Sequence, residues 1–381
     1  MRKAFYLLIL TALLCCLGGF TAFAEDGLSI SAKSAVVMCA DTLEVVYSKN
    51  SDQKLPMAST TKIMSTVLAL EHGASDSMFT VTEDMVKVEG TSMGLMAGDS
   101  VSLKTLVKGM LLESGNDAAN AAAIAVAGSI ESFVSLMNEK AAQIGMKSTS
   151  FETPSGLDGE NHYSTAYDMA LLACYALKKP EFKAICSAEK MAVYYGSPPY
   201  RRILTNHNKL LNMLEGTYGV KTGFTKKSGR CLVSAVSRDG KNLVAVTLNA
   251  PDDWNDHIKL YDYCFERVYA VSLYEDTDDL KLPVVGGKAS FTNVEPNSIP
   301  SITSTIPDAV YTDKIYLEKF LYAPVKKGDI VGYIEFFSKD GRLLGRSELC
   351  AVDTVEVSEI KKTEEKSRFK GFLDKIKDFF R

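Results

Sequence analysis

The chain has 381 residues, 46% hydrophobic and 24% charged, enough for one large folded domain and a smaller one, and it contains no long disordered tract. Its formal charge is −4, and two units more negative without Arg2 and Lys3, which argues against nucleic acid as a main partner. The cysteines include no C-x-x-C pair and the four histidines have no ligand spacing, so neither a disulfide framework nor a zinc site is implied.

The N-terminus reads as an export signal. Met1-Arg2-Lys3 is a short basic start, Ala4 to Leu17 is apolar and uncharged, and Ala22-Phe23-Ala24 is a small-x-small cleavage site. The apolar run is shorter than the ~20 residues that span a bilayer, which argues against an uncleaved anchor. Residues 1–24 are therefore expected to be removed. The six cysteines that remain, from Cys39 to Cys350, look like small buried hydrophobes.

Ala35 to Met38 and Leu43 to Tyr47 read as two strands around an Asp41-Thr42 turn. Pro56 precedes a helix-like run, Met57 to Leu70, with Ile63, Val67 and Leu70 on one stripe. Leu103–Leu112, Ala118–Ala127, Ser132–Ile144 and Thr165–Leu177 extend the helical block, and the alanines of the second suit close packing on all sides. Strand character returns after Lys221, with Arg230–Val236 and Leu243–Leu248 around an Asp239-Gly240 turn. Trp254 to Tyr269 reads as a closing helix. The order predicts an α+β domain over 25–270, an antiparallel sheet with packed helices. From Val271 to 358, short β-like runs between Gly, Pro and Asp turns predict a small all-β domain. In 359–381, Phe369, Phe372, Leu373, Ile376, Phe379 and Phe380 share a helical arc of roughly 120°, opposite Lys370, Lys375, Lys377 and Arg381. That pattern suits an amphipathic helix lying in a membrane interface.

The S-x-x-K pattern occurs five times and is weak by itself. Ser59 and Lys62 stand out because they follow Pro56 and open an apolar helix. There the hydroxyl and the amine share one face, so the amine can deprotonate the hydroxyl. The helix dipole also favours negative charge at that end. Ser51 and Lys54 are disfavoured, because Pro56 pushes Leu55 out of helical geometry. Ser114-Gly115-Asn116 lies between two helical runs, where its glycine permits a tight loop aiming two polar groups at one point. Lys221-Thr222-Gly223 occurs once and opens a β run, where a lysine and a hydroxyl could line a cleft edge. The ordered triple supplies a nucleophile, a base, a second hydroxyl with an amide, and a cationic clamp. That is equipment for acyl transfer through a serine ester.

These residues resemble the penicillin-recognising serine transferases, and within them the low-molecular-mass D-alanyl-D-alanine carboxypeptidases. The likeness extends to Pro154-Ser155-Gly156-Leu157-Asp158, to His162 through Ala170, and to Asn206 through Leu211, although many relatives carry arginine where His207 stands. It implies a β-lactamase/transpeptidase-like domain, a β domain and an amphipathic anchor. It also implies roles. Ser59 attacks the carbonyl between two terminal D-alanines, and Lys62 takes the proton. The N–H groups of Ser59 and Phe224 form the oxyanion hole, and Ser114 relays a proton to the leaving D-alanine. Asn116 holds the substrate amide, while Lys221 and Thr222, beside Gly223, bind the terminal carboxylate. No cofactor is implied. The expected partners are peptidoglycan stems ending in D-Ala-D-Ala, β-lactams as covalent inhibitors, and the outer face of the cytoplasmic membrane through the C-terminal helix.

A D,D-endopeptidase would use the same residues. A class A β-lactamase would need a deacylating glutamate in an E-x-x-L-N string, and none lies between Ser114 and Lys221. A non-catalytic wall-binding module would be expected to have lost Ser59 or Lys62. For the tail, deleting 369–381 should move the protein from the membrane to the soluble fraction on cell fractionation. Retention on the membrane would show that another segment anchors it.

Overall fold

The computed structural model of the protein describes residues 28–274, 277 and 279–359. The export signal expected over 1–24 lies outside the described residues, and so does the amphipathic helix expected over 359–381, apart from Glu359. The chain divides into two compact units. One runs to Ala270 and includes Thr303–Pro307; the other holds Val271–Ile302 and the residues from Asp308 onward.

The first unit begins with strands β1 (Ser34–Cys39) and β2 (Val45–Lys49), followed by a 3-10 turn, Ala58–Thr61, that leads into α1 (Lys62–Glu71). Short elements β3 (Met78–Thr80), α2 (Glu83–Val86) and β4 (Ser100–Ser102) precede α3 (Leu103–Lys108), which passes into a π turn, Gly109–Glu113. Helices α4 (Asn116–Ala127), α5 (Ile130–Ile144), α6 (Ala166–Leu177) and α7 (Pro180–Cys186) complete the helical block. Then come β5 (Lys190–Gly196), β6 (Pro199–Thr205), α8 (Leu210–Met213), β7 (Thr217–Thr225), β8 (Gly229–Arg238), β9 (Lys241–Leu248) and α9 (Asp253–Phe265).

The main sheet has the order β2-β1-β9-β8-β7 and is antiparallel throughout. Both of its faces are covered. Along β1, Val36 and Met38 join one apolar core with Met64, Val67 and Leu172, while Ala35, Val37 and Cys39 join another with Leu260 and Tyr261. Successive side chains point to opposite faces, so a strand buried on both sides reads as an unbroken hydrophobic run. The alanines at 118, 119, 121, 122 and 123 are fully buried, which lets α4 sit close to its neighbours. Ser102, Ser129 and Thr165 cap α3, α5 and α6 by accepting from Thr105 N, Ser132 N and Asp168 N. Such a cap typically contributes about 1 kcal/mol. Between β8 and β9, Asp239 and Gly240 both take positive φ, as a two-residue hairpin turn of the right twist requires.

Several expected boundaries move. β7 starts at Thr217, so Lys221 sits inside an edge strand instead of opening it. The glycines at 216 and 219, with a register shift between Thr217 and Val220, hide the strand in the sequence. The closing helix stops at Phe265, and Tyr269 is already extended. The hairpin of β5 and β6 was not expected; its alternation is blurred because much of it is exposed. The six described cysteines are free thiols, buried except for the half-buried Cys350.

The second unit contains a six-stranded sheet in the order Thr312–Leu317, Ile330–Phe337, Leu343–Ala351, Phe291–Pro296, Lys281–Val285, Leu321–Tyr322. Its last pair is parallel and the other described pairs are antiparallel. Its core gathers Leu282, Val294, Ile334, Phe336 and Leu349. The result is an α+β unit joined in sequence to a β unit.

A buried polar knot ties β8, β9 and α9 together. His257, fully buried, pairs through Nδ1 with Ser234 Oγ at 2.6 Å and through Nε2 with Thr247 Oγ1 at 2.9 Å. Ser234 also meets Tyr261 Oη at 2.8 Å. Burial pushes the His257 imidazole down to about 3. The unfolded chain therefore takes up a proton below about pH 6.5 that the folded chain refuses, and stability falls as pH drops toward 3. Between pH 7 and pH 4 this one group should remove on the order of 3 kcal/mol. Thermal melts across that range should show a shallower pH dependence in His257→Gln than in the parent chain; identical slopes would contradict it.

Candidate active site

The site is built on the turn that precedes α1. Ala58 takes a left-handed backbone, φ +49°, which costs a non-glycine residue about 1 kcal/mol or more. Met57 O accepts from Thr60 Oγ1 at 2.6 Å and closes the turn. Ser59 thus sits on a 3-10 turn one step before the α-helix, a correction to the expected first helical turn, and Lys62 begins the helix. The i to i+3 spacing still brings the two side chains together: Lys62 Nζ lies 2.9 Å from Ser59 Oγ.

Lys62 is fully buried. Its Nζ also donates to Asn116 Oδ1 at 2.6 Å and to the Ser155 carbonyl at 2.6 Å. Burial first, and then the neighbouring Lys221, hold the amine well below the usual lysine range, with Asp117 pulling weakly the other way. A neutral amine donates two hydrogens, which Asn116 and Ser155 accept. Its lone pair is then left facing the Ser59 O–H.

The π turn ends at Ser114, which takes φ +58°. Single π turns recur at functional positions because they re-aim the residues that follow. Ser114 is buried, and among the described residues its hydroxyl has no hydrogen-bond partner. Gly115 leaves no room for a side chain: a Cβ there would lie 2.7 Å from Asp117 Oδ1 and 3.0 Å from Met93 N. Asn116 opens α4 with its amide engaged at both ends, Oδ1 on Lys62 and Nδ2 on Glu89 O at 2.7 Å. The expected grip of Asn116 on a substrate amide therefore competes with two contacts inside the protein.

From the opposite side comes β7. Lys221 is fully buried, and Nζ donates to the Thr222 carbonyl at 2.9 Å. Burial pulls its amine down to about 7. At Gly223 a Cβ would sit 3.1 Å from the amide nitrogens of Ser59 and Thr60 and 3.0 Å from Met57 O, so the strand backbone runs directly against the nucleophile turn. Phe224 is 65% exposed. Ser59, Ser114, Thr222, Gly223 and Phe224 line one cavity of about 330 Å³, with Thr91, His207, Lys209, Arg230, Asp253 and Trp254. Lys62, Asn116 and Lys221 are buried and are not among the residues that line it.

Other residues support the site: Asp117 carried no signal in the sequence, whereas Gly156 and His162 lie in segments that shared the family likeness without an assigned role. Asp117 accepts from Ser92 Oγ, Met93 N and Leu95 N, which fastens the 92–95 loop to the start of α4. His162 accepts Glu152 N through Nδ1, so its Nε2 donates to Thr61 Oγ1 at 2.9 Å. Burial pushes the His162 imidazole down to about 4 and keeps it neutral near pH 7. Gly156 has φ +88°, and any Cβ there would collide with the Ala58 carbonyl. The 154–164 segment thus buttresses the nucleophile turn through a carbonyl, a glycine and a histidine.

The family model for D-alanyl-D-alanine carboxypeptidases matches residues 21–252. The carboxypeptidase DacF of Bacillus subtilis is 35% identical over 356 residues, 88% of this chain and 90% of that protein. The chain belongs to the D-alanyl-D-alanine carboxypeptidase family. DacC of Escherichia coli is 33% identical across 94% of this chain and 91% of its own length. Among solved structures, penicillin binding protein 5 of Haemophilus influenzae superposes with a TM-score of 0.61 at 26% identity, covering 86% of this chain and 98% of that one. Both units of this family member are therefore spanned by relatives of similar length.

The contact between Gly156 and Ala58 makes a specific demand. Gly156→Ala should displace the 58–62 turn, lower the reactivity of Ser59 toward a fluorophosphonate at least tenfold (about 1.4 kcal/mol) and reduce Tm. Unchanged labelling rates in a folded Gly156→Ala protein would show that the turn does not depend on this packing.

Proposed function

We propose that the chain is an exported serine D-Ala-D-Ala carboxypeptidase that removes the terminal D-alanine from peptidoglycan pentapeptide stems. The observation that carries the reading is the buried Lys62 amine, 2.9 Å from the Ser59 hydroxyl and short of charge. Lys62 takes the proton as Ser59 Oγ attacks the carbonyl between the two D-alanines. The close run of β7 against the Ser59 amide supports an oxyanion hole formed by the N–H groups of Ser59 and Phe224. As the tetrahedral intermediate collapses, the C–N bond breaks and the Ser114 hydroxyl relays a proton to the departing amine, giving its own and regaining the one Lys62 took from Ser59. D-Alanine leaves, and water hydrolyses the Ser59 ester.

Asn116 acts on Lys62, fixing where the amine points, and its hold on the substrate amide, expected from the likeness, competes with its contact to the Glu89 carbonyl. Thr222 offers its hydroxyl to the terminal carboxylate. Lys221, poised near pH 7, becomes the ammonium when that anion arrives, because a neighbouring negative charge favours the charged amine. The same constellation accepts β-lactams, whose strained amide and carboxylate occupy the same places. The basic and apolar N-terminus and the aromatic amphipathic tail support a location at the outer face of the cytoplasmic membrane.

Incubation with a pentapeptide muropeptide should release one alanine by mass spectrometry, while a cross-linked dimer stays intact. Ser59→Ala should lose alanine release and fluorescent-penicillin labelling by at least ~10³-fold and keep its melting temperature. Persistent labelling would reassign the nucleophile, and cleavage of the dimer alone would make the protein an endopeptidase.

A further inference from the structure

Thr91 lines the cavity, yet it belongs to a segment outside the three motifs. That segment, 89–95, meets Asn116 twice. The Thr91 carbonyl accepts from Asn116 N at 2.7 Å, and the Glu89 carbonyl accepts from Asn116 Nδ2 at 2.7 Å. Both bonds hold the residue whose Oδ1 receives a hydrogen from Lys62 Nζ. At Gly90 a Cβ would lie 2.7 Å from Asn116 Nδ2, so the segment rests directly on that amide. Asp117 grips the next residues, Ser92 to Leu95, from the helix side.

The hairpin of β5 and β6 holds the same segment from the other side. Tyr195 on β5 is fully buried, and its hydroxyl donates to the Met93 carbonyl. Burial pushes this phenol above the usual tyrosine range, so it keeps a proton to donate. Arg202 on β6 is half-buried. Its Nη1 donates to the Gly94 carbonyl at 3.2 Å and to Tyr195 Oη at 3.1 Å. Its guanidinium carbon stands 4.0 Å from the Tyr195 ring centroid and 4.4 Å from that of Tyr200. Two aromatic rings against a planar cation leave it little freedom. Gly94, at φ +81°, makes room for the approach, since a Cβ there would lie 3.3 Å from Nη1. Contacts therefore run unbroken from Arg202 and Tyr195 through two carbonyls, along the 89–95 segment, to Asn116 and Lys62. The hairpin also has attachments of its own. β5 pairs with β4 at Gly196 and Ser100, and Thr205 N donates to Glu113 Oε1 at 2.6 Å. Replacing Arg202 thus opens the clamp while the hairpin stays docked.

Resting on the proposed function, we infer that Arg202 and Tyr195 are positioning residues for acylation: they clamp the Met93 and Gly94 carbonyls, which seats the 89–95 segment on Asn116 and fixes how Lys62 faces Ser59. Neither is among the residues that line the cavity, so neither binds substrate. Their loss slows the step in which Ser59 Oγ bonds to the acyl carbon and its proton passes to Lys62. It spares the binding that precedes that step. A displacement of about 1 Å in a catalytic group costs up to about 100-fold.

The test is stopped-flow acylation by a fluorescent penicillin, which separates the saturating rate k2 from the dissociation constant of the first complex. Arg202→Leu should lower k2 about 10-fold with the dissociation constant within about threefold. Arg202→Lys, which keeps a cation between the tyrosines, should recover part of the rate, and Tyr195→Phe should lose part of it. Arg201→Leu, at the exposed neighbour, should change neither constant. The deciding arm is a cycle with Asn116→Ala. Without the Asn116 amide the clamp has nothing to aim, so adding Arg202→Leu should cost less than about twofold more. A merely structural role would lower Tm and cost the same factor in both backgrounds. If Arg202→Leu does not fold, Tyr195→Phe takes its place in the cycle. A k2 within about twofold of the parent in the folded variant, or an additive loss in the cycle, overturns the inference and leaves the proposed function standing. A fluorophosphonate, which needs only an activated Ser59, repeats each arm. A parent chain that reacts with it but takes up no penicillin and releases no alanine refutes the proposed function, and the fluorophosphonate cycle still decides the clamp.

Discussion

The structure around the nucleophile depends on a single desolvated amine. Lys62 is enclosed on all sides, and its three neighbours come from separate parts of the chain: the turn before α1, the start of α4 and the 154–164 segment. Water would solvate an ammonium and leave no base. Burial penalises the charge, the nearby Lys221 penalises it further, and the hydrogen bonds to Asn116 and Ser155 offset much of the cost of burying a neutral amine. Asp117, whose charge opposes this, has its carboxylate engaged by the 92–95 loop.

That amine stays dry because backbone approaches backbone at several points. Ala58 and Ser114 hold left-handed conformations that each cost about 1–3 kcal/mol, and the packed surroundings enforce them. Gly156 and Gly223 are the counterparts: each lets another segment reach the nucleophile turn where a Cβ would not fit. The sheet behind them has apolar cores on both faces, so β7 is a stiff edge for the cavity to be measured against. On that edge Lys221 is sealed from solvent, and its burial draws the amine down to about 7.

Much of this was legible in the sequence, for local reasons. Ser59 and Lys62 are three residues apart, and any helical or near-helical backbone puts them side by side. The apolar runs of β8 and β9 around Asp239-Gly240 record a sheet buried on both faces and a turn that needs positive φ at both residues. What escaped was either masked or non-local. The glycines at 216 and 219 erase the β signature before Lys221. The hairpin at 190–205 is too exposed for clear alternation. Ser155 contributes a carbonyl, which no residue type announces, and the role of Asp117 depends on a loop more than twenty positions upstream.

The sequence by itself determined the chemical groups and their order: a hydroxyl with an amine one turn away, a second hydroxyl beside an amide, a lysine and a threonine on a strand. Only the tertiary structure decided that Lys62 lies buried between Asn116 and Ser155, that Ser114 is aimed by a π turn, and that Arg230 shares the cavity. The reason is physical. Side-chain chemistry and short-range geometry are written along the chain, whereas burial, and with it the protonation of an amine, is a property of everything that packs around it.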